Sequence, residues 1–261
     1  MLLFSKAITT PFVICLCFIG VGLIQFSRLQ KLLTNQQNVS LETLEKDIKS
    51  EALRLKLLNK MPSFGYDNLI ADWVYLNFLQ YFGDDEVRAQ TGYSLSPEYF
   101  EVILKRDPRF LKSYLSLSMS TSMYAGMPER AIALTEKGLK SLSPWVPQRS
   151  YYVWRYKGID ELLFLGNAQA AQQSFATAAN WASKFSDTES QLIATNSQRT
   201  AEFLKRNPNS KYAQISTWAM VFNNPVDEKT RKRAIREIEV LGGKVIKTSE
   251  GNQKIIFPPK D

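Results

Sequence analysis

Apolar residues at Leu41, Leu44, Ile48, Ala52, Leu55 and Leu58 recur at intervals of three and four, which places them on one face of an α-helix. Glu42/Lys46 and Glu45/Lys49 stand four apart on the other faces, where opposite charges support a helix. Ser40 precedes the run as a candidate N-cap. The stretch from Asn68 to Gly83, NLIADWVYLNFLQYFG, is apolar on more than one side. Such a helix is normally enclosed by neighbours, so burial on all sides is the expectation here. Asp72 within it is expected to be half-buried beside Trp73 and held by a hydrogen bond or an arginine from a neighbouring helix. Eleven aromatics fall within the 47 residues from Phe64 to Phe110, against 12% for the whole chain, so the core should be densest there.

Downstream, Ser96-Pro97 and Asp107-Pro108 each set a capping residue before a proline at the first helical position, and Gly126, Pro128, Pro144 and Gly166 supply further breaks. The pattern predicts helices over 41–60, 67–82, 97–106, 108–125, 128–141, 147–164, 168–183, 188–206, 209–222 and 227–241. After Gly242-Gly243, the runs Lys244–Thr248 and Gln253–Phe257 flank Ser249-Glu-Gly-Asn252 as a β-hairpin would. The predicted fold class is all-α with a small C-terminal β-hairpin.

The N-terminus departs from this periodicity. From Ala7 to Phe26 there are twenty residues without a charge, bounded by Lys6, Arg28 and Lys31. At ~1.5 Å per residue that helix spans about 30 Å, the thickness of a hydrocarbon core. A cleaved signal peptide is the competing reading, encouraged by Pro11 and the Gly20/Gly22 pair, but no small-x-small site follows the run. The expectation is a single-pass membrane protein anchored through residues 7–26. Flanking charges are nearly balanced, and a six-residue head with one lysine favours a cytoplasmic N-terminus. The expected organisation is an anchor over 1–33, a linker and amphipathic helix over 34–60, a helical domain over 61–241 and the hairpin tail over 242–261.

Composition narrows the chemistry. The chain of 261 residues has no histidine, which removes the commonest general base near neutral pH and the commonest nitrogen ligand for metals. Both cysteines, Cys15 and Cys17, lie inside the apolar run, so the rest has no thiol for a nucleophile, disulfide or metal. Phosphate-binding glycine loops, serine-hydrolase elbows and zinc spacings do not occur. A non-enzymatic protein without catalytic residues, metal or cofactor is expected. The net charge of +8 suits an anionic surface or an acidic partner.

Pro108 to Ser143 has the length of a helix–turn–helix repeat of about 34 residues. Ala131, Thr135, Gly138 and Pro144 in its second helix, and Ala171, Phe175 and Ala178 in the next, stand near the offsets of small and aromatic residues in tetratricopeptide repeats. On these residues, together with ADWVYLNFLQYFG, YFEVILKRDPRF and YAGMPERAIALTEKGL, the chain resembles bacterial membrane-anchored members of the TPR-like superfamily. The resemblance is strongest from Asn68 to Ser183. Departures are Thr135 and Gly138 in place of the usual large and small residues, and 40 rather than about 34 residues between Ala131 and Ala171. It implies a helical-hairpin solenoid acting as a scaffold or assembly factor for protein partners in a membrane complex. The groove-lining first helices of such hairpins correspond to Tyr114 and Leu117, then Tyr151, Trp154 and Tyr156, as candidate partner-binding residues.

Two charged clusters stand apart from the repeat. Lys229, Arg231, Lys232, Arg233 and Arg236 put five cations on one short helix, a candidate basic face for lipid phosphates or an anionic polymer in an envelope-maintenance role. No nucleic-acid module accompanies it, so nucleic acid is not an expected partner. Asp84-Asp85-Glu86 reads as a solvated loop, since three adjacent carboxylates point apart and cannot converge on a cation.

Overall fold

A computed structural model describes residues 18–23, 25–26, 40–208, 210–223, 228–247 and 253–260. Residues 18–23 and 25–26 are helical, with Phe18, Ile19, Val21, Leu23 and Phe26 exposed. The rest of the expected anchor lies outside the described residues, and no described helix is long and apolar enough to cross a membrane. The chain divides into two compact units, Met1–Lys49 and Ser50–Asp261. The division falls inside the first long helix.

That helix, α1 (Leu41–Lys60), begins as its sequence predicts: the Thr43 amide donates to Ser40 Oγ at 3.3 Å, and Lys46 pairs with Glu42 at 2.7 Å. It continues into the second unit, where the order is α2 (Asp67–Gly83), α3 (Asp85–Thr91), α4 (Ser96–Arg106), α5 (Leu111–Leu117), a π-helical segment (Ser118–Tyr124), α6 (Pro128–Leu139), α7 (Tyr151–Leu163), α8 (Ala168–Ala182), α9 (Thr188–Arg206), α10 (Lys211–Asn223) and α11 (Glu228–Val240). Strands β1 (Lys244–Lys247) and β2 (Gln253–Ile256) pair antiparallel, Lys244 opposite Ile256 and Lys247 opposite Gln253. The fold is all-α and solenoid-like, with one small hairpin.

Four local features depart from the pattern reading. Asp84 accepts the Val87 amide at 3.2 Å, so the acidic triplet caps and opens the short helix α3 instead of forming a loop. Asp107 accepts the Arg109 amide at 2.9 Å, and this side-chain turn delays helix onset to Leu111. Ser96 lies inside α4, which Leu95 precedes, and makes no cap. Finally, the helix predicted over 108–125 widens into π geometry from Ser118, the Ala125 amide reaching back five residues to Ser120 at 2.9 Å.

Packing within the second unit follows small residues. Gly138 on α6 receives the ring of Tyr114 from α5, whose hydroxyl donates to the Pro108 carbonyl at 2.6 Å. A β-carbon at Gly138 would stand 1.9 Å from that oxygen. Gly158 on α7 likewise receives Phe175 from α8, its imaginary β-carbon 3.1 Å from the ring. Both hairpins therefore close by setting an aromatic over a glycine, which brings the helix axes together. Leu162, Ala168, Ala171, Phe175, Ala201 and Leu204 form one apolar cluster across α7, α8 and α9. Another joins Leu163 to Ile215, Trp218, Phe222, Ala234 and Ile238.

The aromatic-rich segment packs in the same unit. Phe78 meets Phe100 at 4.6 Å and Tyr99 at 5.8 Å between ring centroids, both edge-on. Arg106 ties the turn between α1 and α2 by donating to the Leu58 carbonyl at 2.8 Å, the Met61 carbonyl and Asp67 at 3.0 Å. Hydrogen bonds from Ser63 and Arg106 hold the Asp67 carboxyl below its ordinary pKa.

Candidate functional site

The helix α2 is buried along one line only. Ala71, Val74 and Phe78 face the core, while Leu69, Trp73, Leu76 and Leu79 are exposed. The expectation of burial on all sides fails because only α4 packs extensively against this helix. Leu53, Leu57 and Met61 on and after α1, and Phe64 and Tyr66 in the turn, are exposed as well. Phe64 is 84% accessible. Arg54 joins the two helices, its guanidinium 5.1 Å from the Trp73 ring centre and 3.3 Å from Asn77 Oδ1. The exposed apolar side chains thus lie on one helical hairpin. Asp72 sits among them, exposed and without a partner among the described residues, which corrects the expected half-buried pair.

The groove candidates separate. Tyr114, Leu117 and Tyr151 are all buried to within 1% accessibility and cannot line an open groove. Tyr114 fills the space over Gly138, and the Tyr151 hydroxyl lies 3.0 Å from Ser190 Oγ in the core. Trp154 and Tyr156 are partly exposed; Trp154 meets Trp181 edge-on at 5.9 Å, and Tyr156 stacks with Tyr152 at 6.1 Å. A helix whose neighbours flank it on several sides buries residues that simple periodicity assigns to a free face.

The basic cluster also divides. Arg233 turns inward to the Met123 carbonyl, with its guanidinium 5.5 Å from the Phe164 ring centre. Arg231 lies over Phe222 at 5.6 Å. Arg236 stands 3.5 Å from Glu237, and among the described side chains of the cluster it and Lys232 are exposed. The side chain of Lys229 lies outside those described. Among the described side chains of the expected basic face, Arg231 and Arg233 are partly covered by aromatic rings and a carbonyl, and Lys232 and Arg236 remain exposed.

Buried polar groups concentrate on α7. Asp160, 1% accessible, accepts from Ser118 Oγ at 2.6 Å and Ser122 Oγ at 2.9 Å. Those serines stand four apart on the π-helical segment, so its widened turn supplies both donors. Burial lifts the Asp160 carboxyl to about 7, with the two hydroxyls opposing the rise and Glu161 adding to it. One residue on, Glu161 binds Lys157 and accepts from Ser174 Oγ at 2.6 Å, while Lys157 also lies 3.3 Å from Glu136. These groups satisfy one another inside the fold.

An open cleft of about 790 Å³ lies between α7, α8, α9, α10 and the segment after β2. Its apolar wall is Ile159, Leu162, Phe175, Phe203, Tyr212 and Phe257. The last two rings meet edge-on at 5.5 Å, and Tyr212 donates to the Pro258 carbonyl at 2.6 Å. Arg155, Arg199 and Arg206 also line it, without any acidic residue. Arg155 donates to Ser197 Oγ at 3.1 Å and Arg206 to the Glu202 carbonyl at 3.3 Å; no carboxylate among the described residues pairs with any of the three. Burial lowers the Arg155 pKa. Sequence reading passed over this site, although Arg199, Phe203 and Arg206 share one helical face at spacings of four and three.

Among the described residues there is no group of three or more acidic, cysteine or histidine side chains suited to a metal ion. No family model matches the chain, and neither the curated proteins nor the solved structures contain a match.

Proposed function

We propose that the protein is a membrane-tethered adaptor, a TPR-like scaffold without catalytic activity that holds or helps assemble a membrane complex. The observation that carries this reading is the exposed apolar hairpin of α1 and α2. Exposed apolar patches of this kind mark interaction sites on folded proteins, and Trp73, Tyr66 and Phe64 are residue types that anchor interfaces. The Asp72 carboxylate at its centre, without a partner among the described residues, suits a basic side chain on the docking protein. The twenty-residue apolar run that ends at Phe26 supports a tether near a bilayer, with the N-terminus cytoplasmic. The aromatic-over-glycine closure of two successive hairpins supports the repeat-like reading. An envelope-maintenance role through a basic face has less support, since Arg231 and Arg233 are each turned against an aromatic ring and only partly exposed.

The test is site-specific photo-crosslinking from Leu69 and Leu76 in native membranes, followed by identification of the adducts. A defined membrane-associated protein should be captured, and Leu69→Asp with Leu76→Asp should reduce its co-purification at least tenfold with the helical circular dichroism unchanged. Capture unaffected by the double variant counts against the hairpin as the docking surface.

A further inference from the structure

The cleft between α7, α9 and α10 is chemically unlike the apolar hairpin and is separate from it in the fold. Arg199 and Arg206 are seven residues apart on α9, two turns on one face, so their backbone origins lie about 10.5 Å apart. Phe203 stands between them. Arg155 reaches the same space from α7, with Ser197 as its only described hydrogen-bond partner. The cleft thus offers cation, apolar surface and cation in sequence along α9, with a third guanidinium from the facing helix. Thr200 and Ser216 add hydroxyls.

Three arginines beside aromatic rings, none of them ion-paired among the described residues, give the cleft a lining whose only charge is positive. Guanidinium groups are the side chains best suited to binding carboxylates through paired, parallel hydrogen bonds. A fatty acid supplies one carboxylate and leaves the second arginine of α9 unused. A phosphate ion leaves the wall of Phe175, Phe203, Tyr212 and Phe257 unused. An extended peptide uses both features: at ~3.1 Å per residue in polyproline II geometry, side chains three apart project on one side about 9 Å from each other. That matches the arginine spacing within side-chain reach.

We infer that this cleft is a binding site for an acidic peptide segment, an extended stretch with two carboxylates three residues apart and a large apolar side chain between them. The segment lies along α9, its carboxylates held by Arg199 and Arg206, and its apolar side chain, turned about 120° from them by the threefold helix, against the wall of Phe175 and Phe257 contributed by other elements. Arg155 adds a third charged contact from α7. This site is independent of partner docking at α1 and α2, so each can fail without the other.

The test is fluorescence anisotropy with the full-length protein in detergent micelles and a labelled peptide library carrying glutamate at positions one and four and phenylalanine or leucine between. Bound members should lose at least tenfold in affinity when both glutamates become glutamine, and should weaken as salt is raised. Arg199→Ala with Arg206→Ala should cause a similar loss. Both side chains are exposed, so unchanged circular dichroism and thermal unfolding are expected for that variant. Leu69→Asp with Leu76→Asp should leave peptide affinity as it was. The proposal is overturned if acidic and amide peptides behave alike, if no acidic peptide binds, or if affinity survives loss of both arginines. Arginine-dependent binding of palmitate or inorganic phosphate with no acidic peptide retained overturns it equally, and assigns the cleft to a lipid or an ion.

Discussion

At the scale of single residues, Asp160 is a carboxyl group in an unfavourable place. Its pKa rises from an ordinary 3.8 to about 7, so the native state disfavours the charged form. Below pH 3.8 the group is protonated in folded and unfolded chains alike and costs nothing. As pH rises from 3.8 to 7 the unfolded chain ionises first, stability falls, and above pH 7 the full cost is present. Three pH units correspond to at most about 4 kcal/mol. Asp160→Asn keeps the shape and can still bond to Ser118 and Ser122. Its stability relative to wild type, measured by urea unfolding, is expected to climb between pH 4 and 7 and level off above. A flat difference across that range is incompatible with the raised pKa.

Gly138 and Gly158 make a second residue-scale contrast. Alanine favours a helix over glycine by about 1 kcal/mol, but at Gly138 its methyl would coincide with the Tyr114 hydroxyl and expel the ring. Gly138→Ala should therefore destabilise by about 2 kcal/mol net, through overpacking and the lost bond to Pro108. At Gly158 the nearest ring atom is 3.1 Å away and Phe175 needs to shift only slightly. Gly158→Ala should change stability by less than about 1 kcal/mol. Thermal unfolding of the two variants side by side separates these outcomes.

At the scale of elements, helix positions were legible because prolines, glycines and apolar spacing all marked the same boundaries. Thr188–Arg206 and the two strands lie where the pattern put them. What the pattern could not carry was the identity of each helix's neighbours. Tyr114, Leu117 and Tyr151 looked available for a partner and are core, while Leu69, Leu76 and Leu79 looked like core and are exposed. Amphipathic spacing reveals how many sides are apolar, and only tertiary packing decides which of them is covered. The π-helical segment was illegible for a related reason. Its widened turn places Ser118 and Ser122 toward Asp160, a residue about forty positions away that no local rule connects to them. The arginine cleft is intermediate, since Arg199, Phe203 and Arg206 share a face by spacing alone, whereas Arg155, Tyr212 and Phe257 join them only through the fold.

For the whole molecule, the proposed tether makes a prediction that does not depend on any site. Alkaline carbonate washing should leave the full-length chain in the membrane pellet and release a chain lacking residues 1–33, as followed by immunoblotting. Release of the full chain would mean that the apolar run from Ala7 to Phe26 does not anchor it. The excess of basic residues, 33 against 25 acidic, bears on partners as well. A domain with that balance meets acidic surfaces faster than basic ones, and the advantage shrinks as salt rises. The peptide proposed for the cleft and the basic group proposed to meet Asp72 differ in sign, so a single partner serving both sites would have to present both charges.

The contact between Tyr212 and the Phe257-Pro258 segment carries one further consequence. Because that segment forms a wall of the cleft, the docking of the wall and the filling of the cleft are linked equilibria. Whatever factor by which an occupant slows hydrogen exchange at Phe257 through differential affinity for the docked state, securing the wall by other means must strengthen the occupant's binding by a corresponding factor. The β1–β2 pair would then act as a latch whose strength is readable from either side.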